Sequence, residues 1–162
     1  MTQKPASIAG EDEAPAFFPM LVIFDLDGTL ADGKHREHYV TRPVGEKDWR
    51  AYFAACDRDQ PVRAIVQTLR AFVTAGHDVQ IWTGRSDEVA EKTAFWLDRH
   101  GLAGIPMRSR ARGDHTADDV LKAQWLAECS RKPNLVFEER ARVVAMWRAE
   151  GIPCFQVAPG DF

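Results

Sequence analysis

The stretch DLDGT, residues 25–29, follows an apolar run from Met20 to Phe24 and sets two carboxylates two residues apart, ahead of a glycine and a threonine. An aspartate at the end of a buried strand has little freedom and can attack an electrophile directly. A second acid just past the turn can protonate a leaving oxygen. Gly28 lets the backbone turn tightly, and Thr29 offers a hydrogen bond within the loop. Carboxylates this close, Asp25 and Asp27, repel each other and raise one pKa unless a divalent cation offsets their charge. Magnesium, a hard oxygen-seeking ion that also binds phosphate, is the natural choice. An acidic surface turn is the plainer alternative, and the strand-like run in front of the pair argues against it.

Such a pair needs a scaffold, and the rest of the chain is punctuated accordingly. A strand covers about 20–24. An irregular region spans 33–57 and contains GEKDWRAYFAAC (45–56) as a helix. PVRAIVQTLRAFVTAG (61–76) opens with proline and closes with glycine, as helices do. HDVQIWT (77–83) reads as a strand, 86–101 as a helix capped by Ser86 and ended by Gly101, and IPMRS (105–109) as a short strand. A helix over 116–130 with Thr116 as cap, a strand at NLVFEE (134–139), a helix over 141–151 and a strand over 152–158 complete the order. This alternation predicts an α/β fold, a doubly wound parallel sheet covered by helices on both faces. Sites in such sheets form at the carboxyl ends of strands. Asp25 and Asp27 end the first strand; Thr83, Arg85, Glu138 and Glu139 end two others, so these tips should converge.

Composition fits that scheme. At 162 residues with 45% hydrophobic and 28% charged, the chain suits one domain, expected over 20–162 behind a flexible leader at 1–19. Cys56, Cys129 and Cys154 have no CxxC spacing and cannot all pair, which points to a reducing cytoplasm rather than a disulfide framework. No apolar run approaches a membrane span, and the first nineteen residues lack the pattern of a signal peptide. A net charge of −3 gives no global attraction to nucleic acid, so contact with a polyanion would need a local basic cluster.

The apolar run plus DLDGTL resembles the first motif of the haloacid dehalogenase superfamily of phosphatases, whose fold is a three-layer α/β sandwich. IWTGR (81–85) looks like its second motif, Lys122 on a helix like the third, and Glu138-Glu139 stands in the acidic fourth. RGDHTADDVLKAQW (112–125) and ERARVVAMWRAEGIPCFQVAPGDF (139–162) are similar to the phosphatase domain of the T-even bacteriophage polynucleotide kinase/phosphatase, which removes 3′-phosphates from nucleic-acid ends. No GxxxxGK[ST] phosphate loop occurs, so the resemblance implies a phosphatase domain whose kinase or ligase partner is supplied separately. It also implies that Asp25 is the nucleophile forming an aspartyl-phosphate and that Asp27 serves as acid and then base. Thr83 would bond the transferring phosphoryl group and Lys122 offset its charge, with Arg36, Gly84, Arg85 and Asp118 toward the substrate. Magnesium would be held by the Asp25 carboxylate, the Asp27 main-chain carbonyl, Glu138 and Glu139.

The family has Asp-Asp where this chain has Glu138-Glu139. Each glutamate carboxylate reaches one methylene further, so altered metal affinity or a preference for manganese is expected. About twenty-five residues separate the first motif from the helix at Pro61, too few for a large cap, and an open site admits macromolecules. The RSRAR cluster (108–112) could track a nucleic-acid backbone, and Trp49, Tyr52 and Phe53 could stack on a terminal base, although aromatics at that spacing also suit a core. Asp118 and Lys122 share a helix face and an ion pair between them is the ordinary expectation. The favoured function is a metal-dependent 3′-phosphatase of DNA or RNA ends. A phosphatase of small phosphomonoesters such as nucleotides, and a non-catalytic binding module, are the other two.

Overall fold

All four residues of β1 (Leu21–Phe24) are buried because the strand is central, paired in parallel with β4 (Asp78–Ser86) and β6 (Leu135–Glu138), and both of its faces are covered by helices. The computed structural model describes residues 18–43 and 45–160. Its main sheet has five strands in the order β5-β4-β1-β6-β7, all parallel, with β5 (Met107–Arg110) and β7 (Cys154–Gln156) at the edges. Alternate residues of β1 serve opposite faces. Leu21 and Ile23 pack with Trp82, with Leu121 and Trp125 of α4 (Asp118–Ala127), and with Val144 and Trp147 of α5 (Ala141–Ala149). Val22 and Phe24 pack with Val66 and Leu69 of α2 (Arg63–Thr74) and with Trp96 and Leu97 of α3 (Ala90–Arg99). The doubly wound three-layer architecture expected from the alternation is the one observed.

Between β1 and α2 lies a small insert. Its neck is a two-residue antiparallel pair, β2 (Ala31–Asp32) with β3 (Gln60–Pro61), too short to leave an alternation pattern. The insert holds a 3₁₀ turn at Lys34–Tyr39, then α1 (Trp49–Ala54), then a second turn at Cys56–Arg58. Pro61 does not open the helix as expected. It pairs with Ala31 in β3, and the Val62 N–H bonds to the Leu30 carbonyl at 2.8 Å before α2 begins at Arg63. Thr116 is not the cap of α4 either: Ala117 occupies that position, while the Thr116 N–H bonds to Asp114 Oδ1 at 2.7 Å and its carbonyl accepts from Arg110 at 2.6 Å. Ser86 does accept from the Glu88 N–H, at 3.2 Å, but a 3₁₀ turn at Asp87–Val89 precedes α3. The expected leader lies outside the described residues up to residue 17. Among the described residues no helix is long and apolar enough to cross a membrane, and the three cysteines are free.

Candidate active site

The tips of β1 and β6 are neighbours in register, so Asp25, Glu138 and Glu139 meet, each buried, with one carboxylate oxygen apiece inside a 4.8 Å cluster. Lys122 reaches them from α4: its Nζ donates to Asp25 Oδ1 at 2.5 Å and to Glu138 Oε2 at 2.6 Å. Burial opposes the ammonium charge, but Asp25 and then Glu138 outweigh it and hold Lys122 above the ordinary lysine range. One ammonium cannot satisfy three buried carboxylates. Burial first, and then the Glu138 charge, push Asp25 up to about 7 despite Lys122. Burial followed by Asp25 and Glu138 push Glu139 up to about 10. Three carboxylates and one ammonium leave two formal negative charges on hard oxygen donors, a set that fits a divalent magnesium or manganese ion.

The loop carrying the first acids is locked onto this cluster. Gly28 has φ +83°, and a Cβ there would lie 2.8 Å from Glu139 Cγ and Cδ, so only glycine lets the loop come this close. Thr29 does not bond within its loop as expected. Its hydroxyl donates to Glu139 Oε2 at 3.2 Å, and the loop is closed instead by main-chain bonds such as Gly28 N–H to the Ala31 carbonyl at 2.8 Å. Glu138 folds its Oε1 back over the main-chain N–H groups of Glu139 and Arg140, at 3.2 and 3.3 Å.

Asp27 belongs to a different network. Arg36 Nη2 donates to its Oδ1 at 2.6 Å, and Arg85 donates from Nη2 to Oδ1 and from Nε to Oδ2, the latter at 3.2 Å. Burial works to raise the Asp27 carboxyl, yet Arg85 and then Arg36 overcome it and hold it well below the usual carboxylate range. Behind the arginines stands Asp59, which accepts from Arg36 at 2.7 and 2.6 Å and from Arg85 at 3.1 Å, with His35 Nε2 2.9 Å from its Oδ1. Sequence reading missed Asp59 and His35. The available signal was charge balance: two arginines buried at a strand tip need more than one carboxylate. Arg36 itself is 0% exposed, with Tyr52 beneath it at 3.9 Å, and it does not line the cavity described next.

That cavity, about 650 Å³, opens above the strand tips. Asp25, Asp27, Gly84, Arg85, Lys122, Glu138 and Glu139 line its floor. Its walls come from Trp49, Tyr52 and Phe53 of α1, the loop at 110–117 with Asp118, and Arg140 and Arg142. Asp118 does not pair with Lys122. It takes charge-assisted bonds from Arg110 and Arg140 and occupies the space where a side chain on Gly84 would otherwise sit. Thr83 is buried beneath the floor, and its Oγ1 accepts from the Arg85 N–H at 3.1 Å. The RSRAR cluster is divided. Arg108 pairs with Glu128 and lies over Trp125 at 5.1 Å, Arg110 is consumed by Gly84, Thr116 and Asp118, and Arg112 remains 74% exposed.

Residues 19–162 match the family model of the polynucleotide kinase PNKP phosphatase domain. Two structures of the Pnkp1/Rnl/Hen1 complex, one described as an RNA repair complex, contain a similar chain, at 26% identity with TM-score 0.76 and at 27% with TM-score 0.75. The matches cover 98% and 99% of this chain and 50% and 53% of those, so this chain spans about half their length. The fold also recurs in a haloacid dehalogenase-like hydrolase from Streptococcus pneumoniae (18% identity, TM-score 0.54, 84% of this chain and 83% of that one). A class C acid phosphatase from Bacillus anthracis with tungstate bound shares it too (15%, 0.60, 90% and 68%). A match over nearly the whole described fold places this chain in the family of polynucleotide kinase PNKP phosphatase domains, among the haloacid dehalogenase-type phosphatases.

Proposed function

We propose that this chain removes 3′-phosphate groups from the ends of DNA or RNA through an aspartyl-phosphate on Asp25. The observation that carries the reading is Asp25 on the floor of a cavity whose walls hold Arg110, Arg112, Arg140 and Arg142, and which the small insert leaves open. Lys122 anchors Asp25 Oδ1, so the carboxylate is oriented before substrate arrives. Its other oxygen attacks phosphorus, and the 3′-oxygen departs with a proton from Asp27, which must first pick one up from solvent once substrate loosens its arginine contacts. Water then cleaves the acyl phosphate as Asp27, ionised again, takes a proton from it. As found, Asp27 is the ionised base of the second step. Arg85 lines the cavity and Arg36 does not, so an incoming phosphoryl group can engage Arg85 and loosen one of the two grips on Asp27. Asp118 holds Arg110 and Arg140 at the wall, and buried Thr83 fixes the Arg85 main chain.

Asp25, Glu138, Glu139 and the Asp27 carbonyl would hold magnesium, or manganese, which when bound supplies positive charge to the phosphoryl oxygens. The relatives' place in an RNA repair complex supports nucleic-acid ends as substrate, and a kinase or ligase acting on the same ends as partner. The test is turnover of 3′-phosphorylated DNA and RNA oligomers, mononucleotides and sugar phosphates, with and without magnesium, by wild type and Asp25→Asn. Metal-dependent release from the oligomers, abolished in Asp25→Asn, is expected. Faster turnover of the small esters would favour a small-molecule phosphatase, and equal rates in wild type and Asp25→Asn would favour a non-catalytic module.

A further inference from the structure

We infer that Trp49 and Phe53 form a stacking shelf for the base of the 3′-terminal nucleoside, which makes an unpaired 3′ end the preferred substrate; the inference rests on the 3′-phosphatase reading above. Trp49 is 45% exposed, whereas the other four tryptophans, Trp82, Trp96, Trp125 and Trp147, are 0–6% exposed and fill the core. Its contacts are an edge-on approach to Tyr52 at 5.8 Å and the Lys47 ammonium 5.8 Å from its ring, which leave the indole exposed at the rim of the cavity. Phe53, one helical turn on, lines the same wall with its ring centroid 6.0 Å from Trp49 and 32° between planes.

All three aromatics of α1 reach the cavity wall, but Tyr52 is 7% exposed and lies under Arg36, through which it ties α1 to Asp27, so Trp49 and Phe53 are held in fixed relation to the reacting carboxylates. Asp48 caps the helix, accepting from the Ala51 N–H at 2.9 Å. Arg112 and Arg142 line the same cavity. Each is in a loose, solvent-exposed ion pair, with Glu88 at 3.6 Å and Asp119 at 3.7 Å, the kind of contact that a phosphodiester can displace at little cost. Carboxylate floor, aromatic shelf and cationic rim match the three parts of a nucleotide end: phosphoryl group, base and preceding phosphate. The cavity of about 650 Å³ lies within the roughly 300–1,000 Å³ typical of sites for small ligands. It suits a single splayed-out nucleotide, whose base can stack only once it has left its own helix.

The experiment compares two 3′-phosphorylated single strands that differ only in whether the terminal nucleoside carries a base. Removing the base is expected to raise KM about tenfold in wild type, leave KM nearly unchanged in Trp49→Ala, and keep most of its effect in Trp49→Phe. Binding of the intact strand to Asp25→Asn should quench tryptophan emission, and the abasic strand should not. Equal abasic-to-intact KM ratios in wild type and Trp49→Ala would overturn the shelf while leaving the 3′-phosphatase reading standing. Turnover of 4-nitrophenyl phosphate but of no 3′-phosphorylated strand would overturn both.

Discussion

Replacing Arg36 by methionine separates two roles for this arginine, contact with substrate and control of Asp27. In the fold Arg36 is wholly buried, and its guanidinium bonds Asp27 at 2.6 Å, Asp59 at 2.6 and 2.7 Å and the Tyr52 carbonyl at 3.2 Å. Removing one partner of a buried ion pair costs about 3–5 kcal/mol, because the other charge is left uncompensated. Here Asp27 and Asp59 both keep Arg85, so the loss should fall near 3 kcal/mol, or about 6–12 °C in Tm for a chain of this size. The double variant Arg36→Met/Asp59→Asn removes an abandoned charge as well and should recover part of that loss. Thermal unfolding by circular dichroism measures both.

The pH dependence has a definite sign. Asp27 is depressed in the folded protein, so its ionised form stabilises the fold above the ordinary carboxyl value of about 4, and that contribution is lost as pH falls through the folded value. The advantage of wild type over Arg36→Met should therefore be largest near neutral pH and shrink on acidification. In kinetics the change should appear mainly in kcat, since Arg36 reaches the reacting atoms only through Asp27. An unchanged Tm together with a rise in KM alone would refute this reasoning and return Arg36 to the substrate.

Three further outcomes follow from the geometry. Gly28→Ala forces a positive φ on alanine and presses its Cβ against Glu139, so Tm should fall by about 2–8 °C and the magnesium midpoint should rise; an unchanged midpoint would uncouple the loop from the cluster. Arg112→Ala should lower the slope of log KM against log salt for oligonucleotides by about one, and Arg108→Ala, with its side chain committed to Glu128 and the tryptophans, should leave it unchanged. Glu138→Asp/Glu139→Asp should shift the activation midpoint of magnesium relative to manganese, and identical midpoints in both proteins would show that the extra methylene is without consequence.

What could be read in advance was whatever the strand-tip rule and local periodicity determine. The apolar run before Asp25 fixes a central strand, because only a strand covered on both faces is apolar at every position. The alternation said only that the strand tips converge; the observed order, with β6 beside β1, brings Glu138 next to Asp25, 113 residues away. Lys122 was legible only through its likeness to the third motif, since the alternation brings α4 back over the sheet to begin β6 but does not say which of its side chains reaches the strand tips. Directions of long polar side chains were not legible. A guanidinium at residue 36 can point into a cavity or beneath it, and the choice is made by Asp59, whose identity as a partner appears only when the short β2–β3 neck brings the two ends of the insert together.

The same limit explains the aromatic residues of α1. Their spacing suits a core as well as a binding wall, and the sequence gives no means of choosing while Tyr52, Trp49 and Phe53 are treated as a group. Arg36 makes the choice: its buried guanidinium takes Tyr52 as its floor at 3.9 Å. Trp49, edge-on to Tyr52 at 5.8 Å, lies further out on this six-residue helix, at the rim, where it is 45% exposed. In the proposed mechanism one buried arginine thus links the acid chemistry at Asp27 to the shelf offered to the terminal base. A change at Arg36 should act chiefly on the first, through kcat, whereas a change at Trp49 should disturb only the second.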